Sequence, residues 1–208
     1  MAGLLRLPAL HRVRRSSTGP RDRRPRRRRV LSVEEVLSSV RIHEGNTINL
    51  RVDTVRVPSG KTSTREVVEH RGAVAVLPID AEGRLLLVRQ YRLPARAVLL
   101  EVPAGGIDPD EEPGLAAHRE LREETGYDCR ELSFLFRFFV APGYSEEEIH
   151  CFIARDLFES DQAVDSDEIF ELVRMTPEEA ANAVERGDIV DGKSIAMAMA
   201  YGVTKALK

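Results

Sequence analysis

The stretch AGGIDPDEEPGLAAHRELREETGY, residues 104–127, constrains the fold of this chain more than any other segment. It begins with a glycine pair directly after an apolar run at residues 99–102, and glycine lets a backbone turn tightly and approach a ligand closely. An acidic loop follows, and then Pro113 and Gly126 stand where a helix would begin and be capped. We therefore predict a strand, a tight loop and a helix of about three turns in direct succession.

Three glutamates of this predicted helix form one acidic face. Glu120, Glu123 and Glu124 are spaced i, i+3 and i+4, so they fall within an arc of about 100°. Carboxylates that lie so close repel one another, and either water or divalent cations can relieve the repulsion. Oxygen ligands without sulfur or imidazole favour Mg²⁺ or Mn²⁺. The spacing alone leaves two interpretations open, a solvated acidic face and a metal site.

The rest of the chain is typical of an α+β fold, with many short strands and two helices at the end. The first closing helix is predicted to begin after Thr176 and end at Gly187, and the second spans residues 191–207. A short helical turn could run from Ser32 to Val36. The predicted strands are residues 47–57, 64–70, 73–78, 84–91, 98–102, 133–140, 149–154 and 169–175, of which 73–78 and 84–91 should pair as a hairpin.

Charge sets the start of the chain apart from the remainder. Residues 1–30 contain eleven arginines and one acidic residue, so the net charge of −3 leaves residues 31–208 acidic. Like charges repel, which predicts a disordered Arg-rich tail. A transit peptide, a nucleic-acid-binding arm and a non-functional extension from a misassigned start all fit this composition.

The composition of the whole chain bounds its class. Hydrophobic residues make up 42% and charged residues 31%, a balance typical of a soluble globular protein. No apolar run reaches the roughly 18 residues that a membrane span requires, so no membrane partner is expected. The two cysteines, Cys129 and Cys151, form no CxxC motif, which argues against a disulfide framework or a zinc site and favours the cytoplasm.

Residues 105–127 resemble the Nudix box, G-x5-E-x7-R-E-U-x-E-E-x-G-U, in which U is a bulky apolar residue. Every fixed position matches, and only Tyr127 departs from the usual aliphatic residue at the end of the box. Such a match at fixed spacing is far more specific than a lone glycine motif. The matching residues are Gly105, Glu111, Arg119, Glu120, Leu121, Glu123, Glu124, Gly126 and Tyr127.

The resemblance implies a role for each of these positions. Glu120 and Glu124 would be the main metal ligands, Glu123 would assist them in metal binding and catalysis, and the Ala104 carbonyl would complete the coordination. Arg119 and Glu111 would pair and hold the loop against the helix, a structural role shared by Gly105 and Gly126. The implied fold is an α/β/α sandwich around a mixed β-sheet, with an N-terminal antiparallel strand extension.

Three further stretches resemble the ADP-ribose pyrophosphatase branch of that family. They are TREVVEH at residues 64–70, LLLVRQYR at residues 85–92 with LEVPAG after it, and APGYSE at residues 141–146. Carried over, the substrate-binding residues would be Arg65, Glu66, Arg92 and Glu146. An arginine suits this role because its planar guanidinium binds phosphate in a bidentate manner and stacks on adenine.

The same branch implies a division of the chain and a homodimer. Residues 31–70 would form an N-terminal strand segment that mediates dimerisation, and residues 71–208 the hydrolase domain. The early strands would cross the interface, so that the loop containing Ser145 and Glu146 would reach the substrate of the neighbouring subunit.

The implied reaction is Mg²⁺-dependent hydrolysis of the diphosphate of ADP-ribose to AMP and ribose 5-phosphate, with Mn²⁺ as a possible substitute. Water would attack one phosphorus. The general base would come from the acidic loop at residues 161–168, where Asp165, Asp167 and Glu168 are candidates and Glu168 is favoured.

Three alternatives stay open at this point. The substrate could be GDP-mannose or another nucleoside diphosphate derivative. The chain could be a non-catalytic Nudix domain that senses ADP-ribose, although the box is complete and only about 30 residues follow Thr176, too few for a winged-helix extension. The third is nucleic-acid binding through the Arg-rich tail, whose phosphate contacts would depend steeply on salt concentration, although a nucleic-acid partner is not expected.

Overall fold

The computed structural model describes residues 33–160 and 171–206. The Arg-rich tail, Ser32 and the candidate bases Asp165, Asp167 and Glu168 lie outside the described residues. The strands are β1 Glu35–Glu44, β2 Asn49–Arg56, β3 Thr62–Glu69, β4 Ala73–Pro78, β5 Leu85–Arg92, β6 Ala97–Glu101, β7 Ala104–Gly106, β8 Tyr127–Phe139, β9 Glu148–Glu159 and β10 Glu171–Met175. The helices are α1 Pro113–Thr125, α2 Pro177–Arg186 and α3 Gly192–Ala206.

A four-stranded mixed sheet, in the order β7-β4-β9-β8, lies between two layers of helix. Strand β4 pairs in parallel with β9, and the other pairs of this sheet are antiparallel. Val74 and Val76 pack on the same side as α1, whereas Ala75 and Leu77 belong to the core that contains residues of α2 and α3. Both faces of β4 are therefore buried, which explains why its sequence is continuously apolar. The predicted α/β/α arrangement around a mixed sheet is confirmed.

A second sheet, in the order β10-β5-β6, contributes Leu85 and Leu87 to the core on the α2 and α3 side. The predicted hairpin between residues 73–78 and 84–91 is wrong, because β4 and β5 belong to different sheets and share only the isolated bridge Ile79–Leu85. The turn between them does form. The Asp80 carboxylate accepts a hydrogen bond of 2.8 Å from the Arg84 backbone N–H, and the chain then leads into a new sheet.

The N-terminal strands β1, β2 and β3 form a separate antiparallel sheet. Strand β1 was not predicted, and the helical turn expected to end at Val36 is wrong because Glu35 already begins the strand. Every residue of β1 is exposed, including Val36, Val40 and Ile42 at 58%, 58% and 60%. An edge strand with apolar side chains open to solvent is typical of an interface.

The helix ends follow the predicted signals. Pro113 opens α1, and Gly126 caps it in the left-handed conformation at φ 74°. Thr176 begins α2 with a capping box to Glu179. Among the described residues, no helix is long and apolar enough to cross a membrane.

Candidate active site

The acidic face of α1 is turned toward the loop that precedes the helix. Glu120 and Glu124 are buried, with 8% and 7% of their surface exposed, whereas the Glu123 side chain is 42% exposed. The Ala104 backbone N–H donates a hydrogen bond of 3.1 Å to Glu124 Oε2, which fixes the glycine-containing strand β7 beside the helix. Two of the three carboxylates are thus held in the interior, one helical turn apart.

Burial makes these carboxylates unstable as bare anions. Burial raises the pKa of Glu124 to about 8, and the negative charge of Glu120 acts in the same direction, against the Ala104 N–H and the charges of Arg92 and Lys193. Burial also raises the pKa of Glu120, although the Arg119 guanidinium opposes the shift. Adjacent buried carboxylates with only partial compensation are the donor set that a hard divalent cation neutralises. The residues present therefore fit Mg²⁺ or Mn²⁺.

Arg119 braces the loop against the helix. Its guanidinium donates to both carboxylate oxygens of Glu111, at 3.0 and 2.9 Å, and to the Gly106 carbonyl at 2.8 Å. It also contacts Glu120 and lies 3.1 Å from Glu123. The pKa of Glu111 falls because of this pairing. The Arg119 guanidinium thus orients both the loop and the acidic face, which gives this residue a structural role.

Gly105 leaves room for the Glu120 carboxylate. A Cβ atom at this residue would lie 2.2 Å from the carboxylate carbon of Glu120, whereas a Cβ at Gly106 would meet nothing within 4 Å. The first glycine of the pair therefore makes room for Glu120, and the second does not.

A partly buried set of ion pairs lies near this site, and Arg92 is its one member that was predicted from the sequence. Arg92 donates two hydrogen bonds to Glu101, at 3.0 and 2.9 Å, and Glu101 is 1% exposed. Glu101 also contacts the ammonium group of Lys193, which lies 2.9 Å from Asp191. A charged residue at the end of the apolar strand β6 was the available signal for Glu101.

The other predicted substrate residues lie in a different place. Arg65, Glu66 and Glu146 line a cleft of about 320 Å³ with residues 142–145 and Glu34. Its lining, taken over the part of the chain that the structure describes, includes neither Arg92 nor the α1 glutamates. Within one chain, the predicted site residues thus form two groups.

Arg51 organises the region beside this cleft, and the sequence analysis missed it. Its guanidinium contacts Asp53 at 3.0 Å, Glu69 at 3.0 Å and Glu146 at 2.6 Å. The backbone of Val68 also exchanges hydrogen bonds with the loop, accepting from the Glu146 N–H at 3.0 Å. These contacts fasten the loop at residues 141–146 to strands β2 and β3.

His118 of α1 forms a small cluster with Asp128 and Cys129 of β8, with ligand atoms within 4.8 Å of one another. Asp128 contacts His118 Nδ1 and accepts hydrogen bonds from Arg122 at 2.8 Å and from the Cys129 N–H at 2.7 Å. Both carboxylate oxygens therefore have protein partners. Burial raises the pKa of the Cys129 thiol to about 11, so it stays protonated and a poor ligand at neutral pH. The cluster joins α1 to β8.

Comparison with known proteins agrees with this geometry. Residues 69–197 match the NUDIX domain, and residues 34–68 match the nucleoside diphosphate sugar hydrolase N-terminal domain. A solved structure described as an ADP compounds hydrolase superposes with a TM-score of 0.74 at 24% identity, covering 82% of this chain and 93% of its own. The fold is therefore that of the NUDIX domain. The chain belongs to the Nudix family.

Curated relatives carry several names. The methanol dehydrogenase activator of Bacillus methanolicus is 37% identical over 84% of this chain and 96% of its own length. The ADP-ribose pyrophosphatase of Bacillus subtilis (strain 168) is 39% identical over 77% of this chain and 88% of its own. A GDP-mannose pyrophosphatase of Yersinia enterocolitica is 35% identical over 68% of this chain and 80% of its own.

Proposed function

We propose that the protein hydrolyses the diphosphate bond of ADP-ribose to AMP and ribose 5-phosphate. The observation that carries the proposal is the pair of buried carboxylates, Glu120 and Glu124, held beside a glycine loop where a divalent cation could meet a diphosphate. The likeness to an ADP-ribose pyrophosphatase over most of both chains supports this choice of substrate. The GDP-mannose pyrophosphatase covers less of the chain at lower identity and supports the alternative substrate less well.

Mg²⁺ would be held by Glu120, Glu124 and the Ala104 carbonyl, with Glu123 at the solvent-exposed edge of the acidic face. When bound, Mg²⁺ neutralises diphosphate charge and makes water a better nucleophile, and Mn²⁺ could replace it. Glu123, whose side chain is 42% exposed, would assist metal binding and catalysis from that edge. Glu168, outside the described residues, stays our candidate for the general base.

The substrate would be bound by side chains outside the acidic helix. The Arg92 side chain is 37% exposed, whereas the side chain of its partner Glu101 is 2% exposed. The buried carboxylate of Glu101 thus holds a guanidinium that is accessible to solvent. Such a group suits a diphosphate. Arg65, Glu66 and Glu146 share a cleft with room for the adenosine or the terminal ribose.

A substrate panel tests the proposed function. With Mg²⁺ present, we expect kcat/KM for ADP-ribose to exceed that for GDP-mannose, ADP-glucose, NADH and diadenosine polyphosphates by about tenfold or more. Products are separated by ion-exchange chromatography and identified as AMP and ribose 5-phosphate. Preference for GDP-mannose would establish the alternative substrate. Binding of ADP-ribose without turnover would establish the sensor interpretation.

We also propose a homodimer, with residues 31–70 as the dimerisation segment. Two observations support it: β1 exposes Val36, Val40 and Ile42 on an edge strand, and the cleft at Arg65 is separate from the acidic helix within one chain. An exchange of N-terminal sheets between subunits would complete the site.

The two cysteines are buried and free, which supports a reducing compartment, and we propose the cytoplasm.

Val40→Asp is expected to separate the dimer, because it places a charge on the apolar strip of β1. The matched control is Val190→Asp, since Val190 is 55% exposed and Val40 is 58% exposed. Light scattering coupled to gel filtration should give dimers for the wild type and the control, and monomers with reduced activity for Val40→Asp. A monomeric wild-type protein would contradict the shared site.

A further inference from the structure

Four charged side chains form a continuous chain of ion pairs that ends at the predicted phosphate-binding arginine. Arg92 on β5 pairs with Glu101 at the end of β6, and Glu101 pairs with Lys193 in the first turn of α3. Lys193 in turn lies 2.9 Å from Asp191. The Lys193 side chain is only 10% exposed. Two positive and two negative charges therefore balance, with Glu101 and Lys193 largely shielded from water and Arg92 at the more exposed end.

Lys193 lies between two carboxylates, the buried Glu101 and the partly exposed Asp191. Its ammonium group contacts both Glu101 and Asp191. If the ammonium group were absent, Glu101 would keep Arg92 as its charged partner, Asp191 would lose the contact with Lys193, and the two acids would repel each other. Because Glu101 also holds Arg92, a displacement of its carboxylate away from Asp191 would change the partner that orients the guanidinium.

The backbone around Lys193 is already anchored to the strand that leads into the active site. Ser194 Oγ accepts a hydrogen bond of 2.8 Å from the Val102 N–H and donates one of 2.6 Å to Asp191. Val102 lies two residues before Ala104, whose N–H binds Glu124. The positive charge of Lys193 also acts to lower the pKa of Glu124. The first turn of α3 is thus linked to the acidic face through the hydrogen bonds at Val102 and Ala104 and through the charge of Lys193.

We propose that Lys193 is a positioning residue that fixes the Arg92 guanidinium for the substrate diphosphate by holding Glu101 as a charged, oriented carboxylate. The inference rests on the proposed function, in which Arg92 contacts substrate. Lys193 itself touches no reacting atom; it acts through Glu101. Its role is to keep the two hydrogen bonds between Arg92 and Glu101 in place.

The test combines kinetics with a signal that needs no substrate. Lys193→Met is expected to raise KM about tenfold or more with a much smaller change in kcat, since a charge-assisted contact to the substrate is weakened. In an Arg92→Gln background, Lys193→Met should change KM less than twofold. The Arg92 Nε–H resonance of arginine-labelled protein, assigned by its loss in Arg92→Lys, should shift in Lys193→Met. If Lys193→Met does not fold, Lys193→Gln is held to the same criteria.

Ser194→Ala separates positioning from stability, because it removes the hydrogen bonds to Val102 and Asp191 and no charge. It should lower Tm while KM and the Arg92 resonance stay at wild-type values. Additive effects in the double variant, or an unchanged Arg92 resonance in the Lys193 variant, would overturn the inference. Kinetics are measured on the best substrate of the panel, so a preference for another sugar would refute the proposed substrate and leave the Lys193 test intact.

Discussion

Replacement of Glu124 by glutamine is expected to lower kcat by a factor of at least about 10² while the protein stays folded. The amide keeps the shape of the carboxylate and can still accept the hydrogen bond from the Ala104 N–H. It lacks the negative charge that a hard cation requires. Turnover of ADP-ribose under saturating Mg²⁺, with circular dichroism as the check on folding, measures the effect.

Glu112→Gln is the matched control for this substitution. Glu112 is the exposed N-cap of the same helix and makes no side-chain capping hydrogen bond. The chemical change is identical, so activity should remain within about twofold of wild type. Near wild-type turnover in Glu124→Gln would show that Glu124 is not a metal ligand.

The same variant should also change how stability depends on pH. The folded pKa of Glu124 is raised to about 8, above the ordinary value for an unfolded chain. Between those two values the unfolded state releases the proton more readily, so the metal-free wild type should lose stability as pH rises toward about 8. Mg²⁺ should restore Tm most strongly at the upper end of this range. Glu124→Gln, which does not titrate there, should show a flatter Tm profile in EDTA.

Gly105→Ala is expected to reduce kcat about as much as loss of a metal ligand, by a factor of roughly 10² or more. The added Cβ would lie 2.2 Å from the carboxylate of Glu120, so that carboxylate must move out of its place. Because the clash is with the end of a flexible side chain, the helix and sheet can remain folded. Initial rates across a Mg²⁺ titration should show a raised activation constant.

Gly106→Ala provides the comparison for this experiment. An alanine Cβ at Gly106 meets no atom within 4 Å, and this residue is not in the left-handed region. Its kcat should stay within about threefold of wild type. Equal losses in the two variants would show that the strand, and not the position of Glu120, controls activity.

Local signals in the sequence were enough to predict the helix and part of the sheet. Pro113, Gly126 and Thr176 act on the backbone within one turn of their own positions, so the bounds of α1 and the start of α2 follow from them. Strand β4 was predicted with its observed bounds because a continuously apolar run of this length is typical of a buried strand.

Long-range contacts account for what could not be predicted. β4 pairs with β9 and not with β5, a choice set by the packing of the whole sheet and not by the turn after Pro78. β1 is exposed along its whole length, so burial imposes no periodic pattern on it. The contact between Lys193 and Glu101 joins residues 92 positions apart. Nothing near either residue in the chain indicates its partner.

The contact between Lys193 and Glu101 has a consequence for how the chain folds during translation. Arg92 and Glu101 are synthesised well before α3, yet α3 carries Lys193, the second cation that contacts Glu101. A nascent chain without this helix would lack the ion pair between Lys193 and Glu101. Catalytic competence should therefore appear only after α3 has been synthesised and has packed against the sheet, as is common when distant segments must dock before a domain is finished.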